Sequence, residues 1–169
     1  MMYKLGMPLI PQELLGYHLG LIVSKENKHL FWNPRTGKRP KTGFGCQTWK
    51  KEFDVNSVFK KLKIPLKVIN YPIADFKTKK DLISFIDNGI KKNKDFIVLV
   101  GSDALNGTSN NNGHACVVDI IYPKKDIIRL IDPSSIQSKW REFKIDKFIK
   151  AMNLHPTCNG RLLELRRIS

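Results

Sequence analysis

Cysteine is scarce in this sequence. Only Cys46, Cys116 and Cys158 occur, an odd number without close pairing, which is not the framework of a small disulfide-held protein. There is no Cys-x-x-Cys pair, and His18, His29, His114 and His155 show no metal-ligand spacing with the cysteines. A structural zinc is therefore not expected, nor any other metal or cofactor. Long apolar runs are also missing: none approaches the roughly 20 residues that cross a bilayer. The stretch from Met1 to Gly20 is interrupted by Lys4, Gln12, Glu13 and His18, so it lacks the apolar centre of a secretory signal and a cytoplasmic location is expected. Acidic residues are few, 15 against 30 lysines and arginines, for a formal charge of +15. Such a charge draws in anionic partners without deciding the fold. The basic residues are spread along the chain, and no dense basic run carries the interleaved aromatics of a nucleic-acid motif. A solvated lysine-rich surface is the leading expectation, and a basic nucleic-acid-binding module ranks last of three functional readings. Repeats are absent, and the longest polar stretch is the loop Asn106 to Asn112.

What is present suffices for one hydrophobic core. The 169 residues are 41% hydrophobic, and a single domain over residues 1–169 is expected. Leu19 to Val23 reads equally as the buried start of a helix or as a short strand. Asn33-Pro34-Arg35-Thr36-Gly37 signals a turn, and Gly37 to Gly45 reads as a loop leading to Cys46. Asp54 is a fitting N-cap for a helix from Val55 to about Lys63, with Val55, Val58, Phe59 and Leu62 at three-and-four spacing and Pro65 as its stop. Leu66 to Tyr71 alternates as a strand does, and Pro72 closes it. Thr78 and Asp81 form a capping-box pattern ahead of Leu82, Phe85, Ile86 and Ile90. Phe96 to Val100 has the branched apolar character of a buried central strand. Two further strands, His114 to Tyr122 and Asp126 to Asp132, flank a hairpin turn at Pro123-Lys124-Lys125. A short helix around Asp146 to Met152 and a last strand, Leu162 to Ile168, complete an α+β order, helices first and antiparallel strands after.

Chemistry concentrates in Gly113-His114-Ala115-Cys116 and in Arg129-Leu130-Ile131-Asp132-Pro133. A histidine opening one strand and an aspartate closing the next, 18 residues later across a hairpin, meet at one end of a sheet. A carboxylate on Nδ1 would fix the imidazole tautomer and leave Nε2 to take a proton from a nucleophile. The glycine- and asparagine-rich loop before His114 suits the mouth of a site. Cys116, inside an apolar strand, reads as core. Trp32, Trp49 and Trp140 read as packing anchors or as the lining of a substrate groove. His29 and His155 have no evident partners.

This pattern of Gly-His followed by an apolar strand, and then a strand ending in Asp-Pro, resembles the second half of the papain-like cysteine peptidases that process double-glycine bacteriocin leaders. The resemblance covers Phe96 to Phe148 well and the N-terminal half loosely. It implies a papain-like fold with an N-terminal helical half packed on a C-terminal antiparallel sheet, and it implies that His114 is the general base and Asp132 its orienter. The family places an oxyanion-hole glutamine six residues before a nucleophilic cysteine at a helix N-terminus. Here Gln12 is followed six residues on by His18, so the matching position holds no thiol. Imidazole cannot replace a thiolate in forming and releasing a thioester, and a chain built this way is a pseudoenzyme. A second nucleophile candidate is Cys46. Its setting, Gly43-Phe44-Gly45-Cys46, resembles the Gly-Trp-Gly-Cys element of papain-fold proteases that process ubiquitin-like modifiers, although Asp132-Pro133 is followed by Ser134 where those carry histidine.

The first functional expectation is therefore a thiol hydrolase cleaving a peptide or isopeptide bond, with small residues at the scissile bond if double-glycine processing is retained. Cys46 attacks, His114 acts as base and then acid, Asp132 orients it, and Gln12 or backbone N–H groups hold the oxyanion. The second is an inactive papain-like domain that binds a peptide or protein partner. Either reading leaves the basic surface free to meet an anionic partner.

Overall fold

The computed structural model describes residues 9–107, 112–134, 137–156, 158 and 160–168. By internal contacts the chain divides into two units, Met1–Lys67 with Arg167–Ser169 and Val68–Arg166.

The first unit holds α1 (Gln12–His18), β1 (Leu21–Val23), β2 (Lys41–Thr42), β3 (Gly45–Cys46) and α2 (Val55–Lys61). β1 is the central strand of a small sheet, parallel to β2 through Ile22↔Lys41 and antiparallel to β3 through Leu21↔Cys46. The ambiguous stretch after Leu19 is thus a strand, three residues long and too short for its alternation to show in the sequence. The expected loop Gly37 to Gly45 supplies β2 and the start of β3. Asp54 caps α2 as its sequence predicts, accepting the Ser57 N–H at 2.9 Å. The helix stops at Lys61, ahead of Pro65, because Lys63 turns left-handed at φ 55°. Leu14, Val23, Val58, Phe59, Ile64 and Leu66 are buried apolar residues of this first unit. In place of the expected helical half, this region combines two seven-residue helices with a three-stranded sheet.

The larger sheet runs β4 (Leu66–Pro72), β5 (Asp95–Gly101), β6 (Gly113–Tyr122), β7 (Ile127–Ile131), β8 (Trp140–Lys144) and β9 (Arg161–Arg167), in the spatial order β4-β9-β5-β6-β7-β8. Between its strands the chain makes α3 (Lys79–Lys91), α4 (Ser102–Asn106) and α5 (Ile145–Asn153). The fold is α+β, with five α-helices and a six-stranded antiparallel sheet among the described residues. Helices and strands interleave along the chain more than the expected helices-first order. The capping box of α3 forms: Thr78 accepts the Asp81 N–H, and Asp81 accepts the Thr78 N–H, both at 3.1 Å. Its apolar stripe, Leu82, Ile83 and Ile86, packs with Phe96, Val98 and Val100 of β5 and with Phe148 and Met152 of α5 in one cluster. Of the polar stretch Asn106 to Asn112, residues 108–111 lie outside the described part.

The β6–β7 hairpin sets the site. Register runs from Tyr122↔Ile127 at the turn to Val117↔Ile131 at the open end, with a bulge between Val118 and Ile120. Period two on β6 places His114, Cys116 and Val118 on one face, and the bulge brings Ile121 to that face in place of Ile120. On β7 the same face receives Ile128, Leu130 and, just past the strand end, Asp132.

No helix among the described residues is long and apolar enough to cross a membrane.

Gly89 in α3 gives a direct test of this packing. Alanine favours a helix over glycine by about 1 kcal/mol, but a Cβ at Gly89 would stand 2.5 Å from the ring of Phe96, which is fully buried. Overpacking of this kind costs about 1–3 kcal/mol. Gly89→Ala is expected to lower the urea midpoint; a midpoint at or above the parent's would refute the close packing of α3 on β5.

Candidate active site

The open end of the hairpin brings His114 and Asp132 together, as the sequence predicts. His114 Nε2 lies 2.7 Å from Asp132 Oδ1. The nitrogen engaged is Nε2, not the expected Nδ1, so Nδ1 is the ring nitrogen left to exchange a proton with a reacting group. His114 is partly exposed, whereas Asp132 is only 2% exposed.

A buried carboxylate needs several donors to stay ionised. Asp132 has them: Oδ1 also accepts the Ser134 N–H at 2.9 Å, and Oδ2 accepts from Arg141 Nη1 at 2.9 Å. Burial alone would raise its pKa, but these hydrogen bonds, from Ser134, His114 and Arg141, outweigh it and hold the carboxyl below its ordinary value. The Asp132 N–H is tied as well, to the Lys139 carbonyl at 2.7 Å. Asp132 is therefore fixed and anionic, which is what an orienting partner for an imidazole requires. Arg141 was not foreseen from the sequence. It reaches Asp132 because β8 pairs with β7 through Leu130↔Arg141, a tertiary register that local pattern does not reveal.

Cys116 lies beside the pair. Its Sγ, a nitrogen of His114 and a carboxylate oxygen of Asp132 fall within 4.8 Å of one another, a grouping with metal-ligating atoms. The donors do not fit a cation well. Both Asp132 oxygens are taken, one of them by the positively charged Arg141, and burial followed by the charge of Asp132 pushes the Cys116 thiol up to about 12. A neutral buried thiol beside a saturated carboxylate behaves as core, as expected.

His155 does have a partner, against expectation: its Nδ1 is 3.0 Å from Cys158 Sγ. The His-x-x-Cys spacing was the available signal. The His155 ring also packs on Gly113, where a Cβ would come 2.5 Å from Nε2. The glycine before His114 thus admits a close neighbour. Burial pushes the Cys158 thiol up, which does not favour a thiolate.

The remaining candidates belong to the first unit. Gln12 and His18 are the first and last residues of α1. Position 18 therefore sits at the negative end of a helix, which disfavours a thiolate, and not at the N-terminus where the resemblance puts a nucleophile. The His18 pKa is lowered by burial and by the charges of Lys61 and Arg35. Cys46 is half-buried on β3, a strand and not a helix N-terminus, and burial pushes its thiol up. None of the three tryptophans anchors a core: Trp32, Trp49 and Trp140 are 47%, 72% and 60% exposed.

Among known proteins, no family model matches the chain, and no curated protein matches it significantly.

The depressed Asp132 carboxyl fixes a pH dependence. The stabilisation is complete above the ordinary carboxylate value of about 3.9, and it is lost as pH falls through the lower folded-state value. Asp132→Asn is expected to lower stability at pH 7 by about 3 kcal/mol, because Arg141 loses its buried counter-charge. The variant should also lack this component of the acid-side decline. Urea unfolding of both proteins between pH 2.5 and 7 measures it; parallel curves would mean that Asp132 is not held ionised by its partners.

Proposed function

We propose that this chain is a papain-like thiol hydrolase acting on a peptide or isopeptide bond. The observation that supports the reading is the His114–Asp132 pair at 2.7 Å, with the carboxylate buried and fixed by Arg141 and the imidazole still reachable from solvent.

In this reading Cys46 is the nucleophile. The reading requires the Cys46 thiol to pass its proton to His114 Nδ1 as the sulfur adds to the carbonyl carbon, with backbone N–H groups beside Cys46 or the Gln12 amide taking the negative oxygen. Collapse of the tetrahedral intermediate breaks the C–N bond, and the imidazolium gives its proton to the departing amine. Water then adds to the thioester with His114 as base, releasing the carboxylic acid and restoring the thiol. Asp132 stabilises the imidazolium throughout without taking a proton. No step calls for a cofactor.

One observation favours a second reading, an inactive papain-like domain that binds a peptide or protein partner. Burial raises the Cys46 thiol, whereas an activated nucleophile has it lowered, and position 18 offers imidazole in place of sulfur.

Alkylation separates the two. The three thiols are treated with iodoacetamide across pH 5 to 10, in the parent chain and in His114→Ala, with each labelled cysteine identified by mass. The hydrolase reading expects Cys46 to label fast below pH 7 and to lose that rate in the variant. Labelling that rises only near or above the free-thiol value of about 8.5, unchanged in the variant, removes Cys46 from catalysis and leaves the binding domain as the function.

A further inference from the structure

The first unit contains a cavity of about 630 Å³ in the angle between β1, β2, the end of α1 and α2. That volume is within the range of small-molecule sites. Its rim is strongly cationic. Lys38, Arg39 and Lys41 approach from the segment leading into and forming β2, Lys50 and Lys51 from the turn after β3, and Lys61 from the last turn of α2. Against these six stands one carboxylate, Glu52.

Elsewhere in the chain, three lysines meet carboxylates directly. Lys79 meets Asp126 and Asp146, Lys91 meets Asp87, and Lys94 meets Glu164. None of the six rim cations has a carboxylate partner among the described residues. Arg39 is held instead by the main-chain oxygens of His29 and Phe31 and lies over the Trp32 ring, 5.7 Å from its centroid. These contacts fix its position without neutralising it. The imbalance extends to the whole N-terminal region, where residues 1–67 carry 13 basic and 4 acidic side chains. The pocket histidine responds to this field: after burial, it is Lys61 and Arg35 that make protonation of His18 harder.

The cavity has an apolar interior to match its charged mouth. Leu21, Phe53 and Val58 line it, and Gly20 closes the floor at φ 68°, where a Cβ would come 2.6 Å from the Phe53 ring. Phe53 is therefore seated against bare backbone and the floor is formed in advance. Gln47 ties the same turn, its side-chain amide donating to the Gly20 carbonyl at 3.4 Å. Lysine ammonium groups act as point charges toward phosphate oxygens, and six of one sign around a single mouth call for a ligand of more than one negative charge.

We propose that this cavity binds a phosphorylated small molecule with an apolar or aromatic body, of about the size of a nucleotide. The phosphates lie among Lys41, Lys50, Lys51 and Lys61, and the body lies against Leu21, Phe53 and Val58. This proposal stands whether or not the chain is a hydrolase.

The test titrates ATP, and separately inorganic triphosphate, into the full chain by calorimetry at 50 mM salt. It is repeated with a Lys50→Gln/Lys61→Gln variant and with a Lys80→Gln/Lys92→Gln variant that removes the same charge from exposed positions on and beside α3. All four lysines are exposed, and circular dichroism of each variant checks that it folds. The expected result is one ATP per chain, at least tenfold weaker binding in the pocket variant and less than threefold in the control. Triphosphate should bind several-fold more weakly than ATP, because it lacks the body. Absence of ATP binding, equal losses in the two variants, or equal affinity for ATP and triphosphate would each overturn the proposal. So would preferential binding to phosphatidylserine vesicles that ATP does not displace, which would make the rim a membrane-surface patch.

Discussion

The second unit is organised around a carboxylate that cannot face water. Asp132 follows directly on β7, on the face that carries Ile128 and Leu130 into the core, and continuing that alternation is what buries it. Once there it must be solvated by the protein or be neutral. Three elements supply the solvation: β6 through His114, β8 through Arg141, and its own following turn through the Ser134 N–H. The same requirement that stabilises the charge therefore fixes the imidazole, the order of three strands and the register of the hairpin. A shift of one residue between β6 and β7 would turn His114 to the other face and leave Asp132 without it.

A second buried acid follows the same rule at another place in the sheet. Glu164 on β9 is 1% exposed and accepts from Tyr71, Lys94 and Arg166 at 2.9 to 3.2 Å. Burial raises its pKa, and the bonds from Arg166, Tyr71 and Lys94 more than reverse that. Glu164 and Asp132 differ in what their partners can do. All three side chains on Glu164 are already committed as donors, whereas the imidazole on Asp132 keeps a second nitrogen, Nδ1, that can be used. That difference is the physical reason for reading one as structural and the other as a site.

What could be read from the sequence follows the range of the forces involved. α3 was legible because its cap and its apolar stripe are both local, Thr78 to Asp81 and Leu82 to Ile86. The hairpin was legible because period two and a Pro-Lys-Lys turn lie side by side, and the meeting of His114 with Asp132 follows from them. β8 was missed, and Arg141 with it, because Trp140 to Lys144 carries only one deeply buried residue, Phe143, and gains its identity from pairing with β7. The exposure of the tryptophans, read as packing anchors or groove lining, went unforeseen for a related reason: composition tells how much a side chain would gain by burial, not whether a partner surface exists. The choice of Nε2 over Nδ1 depends on a rotamer that no pattern encodes.

The two units also differ in how their charges are handled, and this bears on where chemistry can occur. In the second unit several acids are met directly by bases, down to Arg129 on Asp119 at 2.6 Å beside the β6 bulge. There the His114 imidazole has a fixed counter-charge in Asp132. In the first unit six cations without a carboxylate partner among the described residues surround a cavity, and burial first, then the charges of Lys61 and Arg35, lower the pKa of the histidine there. An imidazole whose protonation is made harder in this way is poorly placed to stabilise a positive charge that develops in a reaction, while its N–H can still be donated toward an anion. His18, which stands where the resemblance puts a nucleophile, and His114, the expected base, thus differ in electrostatic setting. The latter faces a fixed carboxylate and the former a field of lysine and arginine charges.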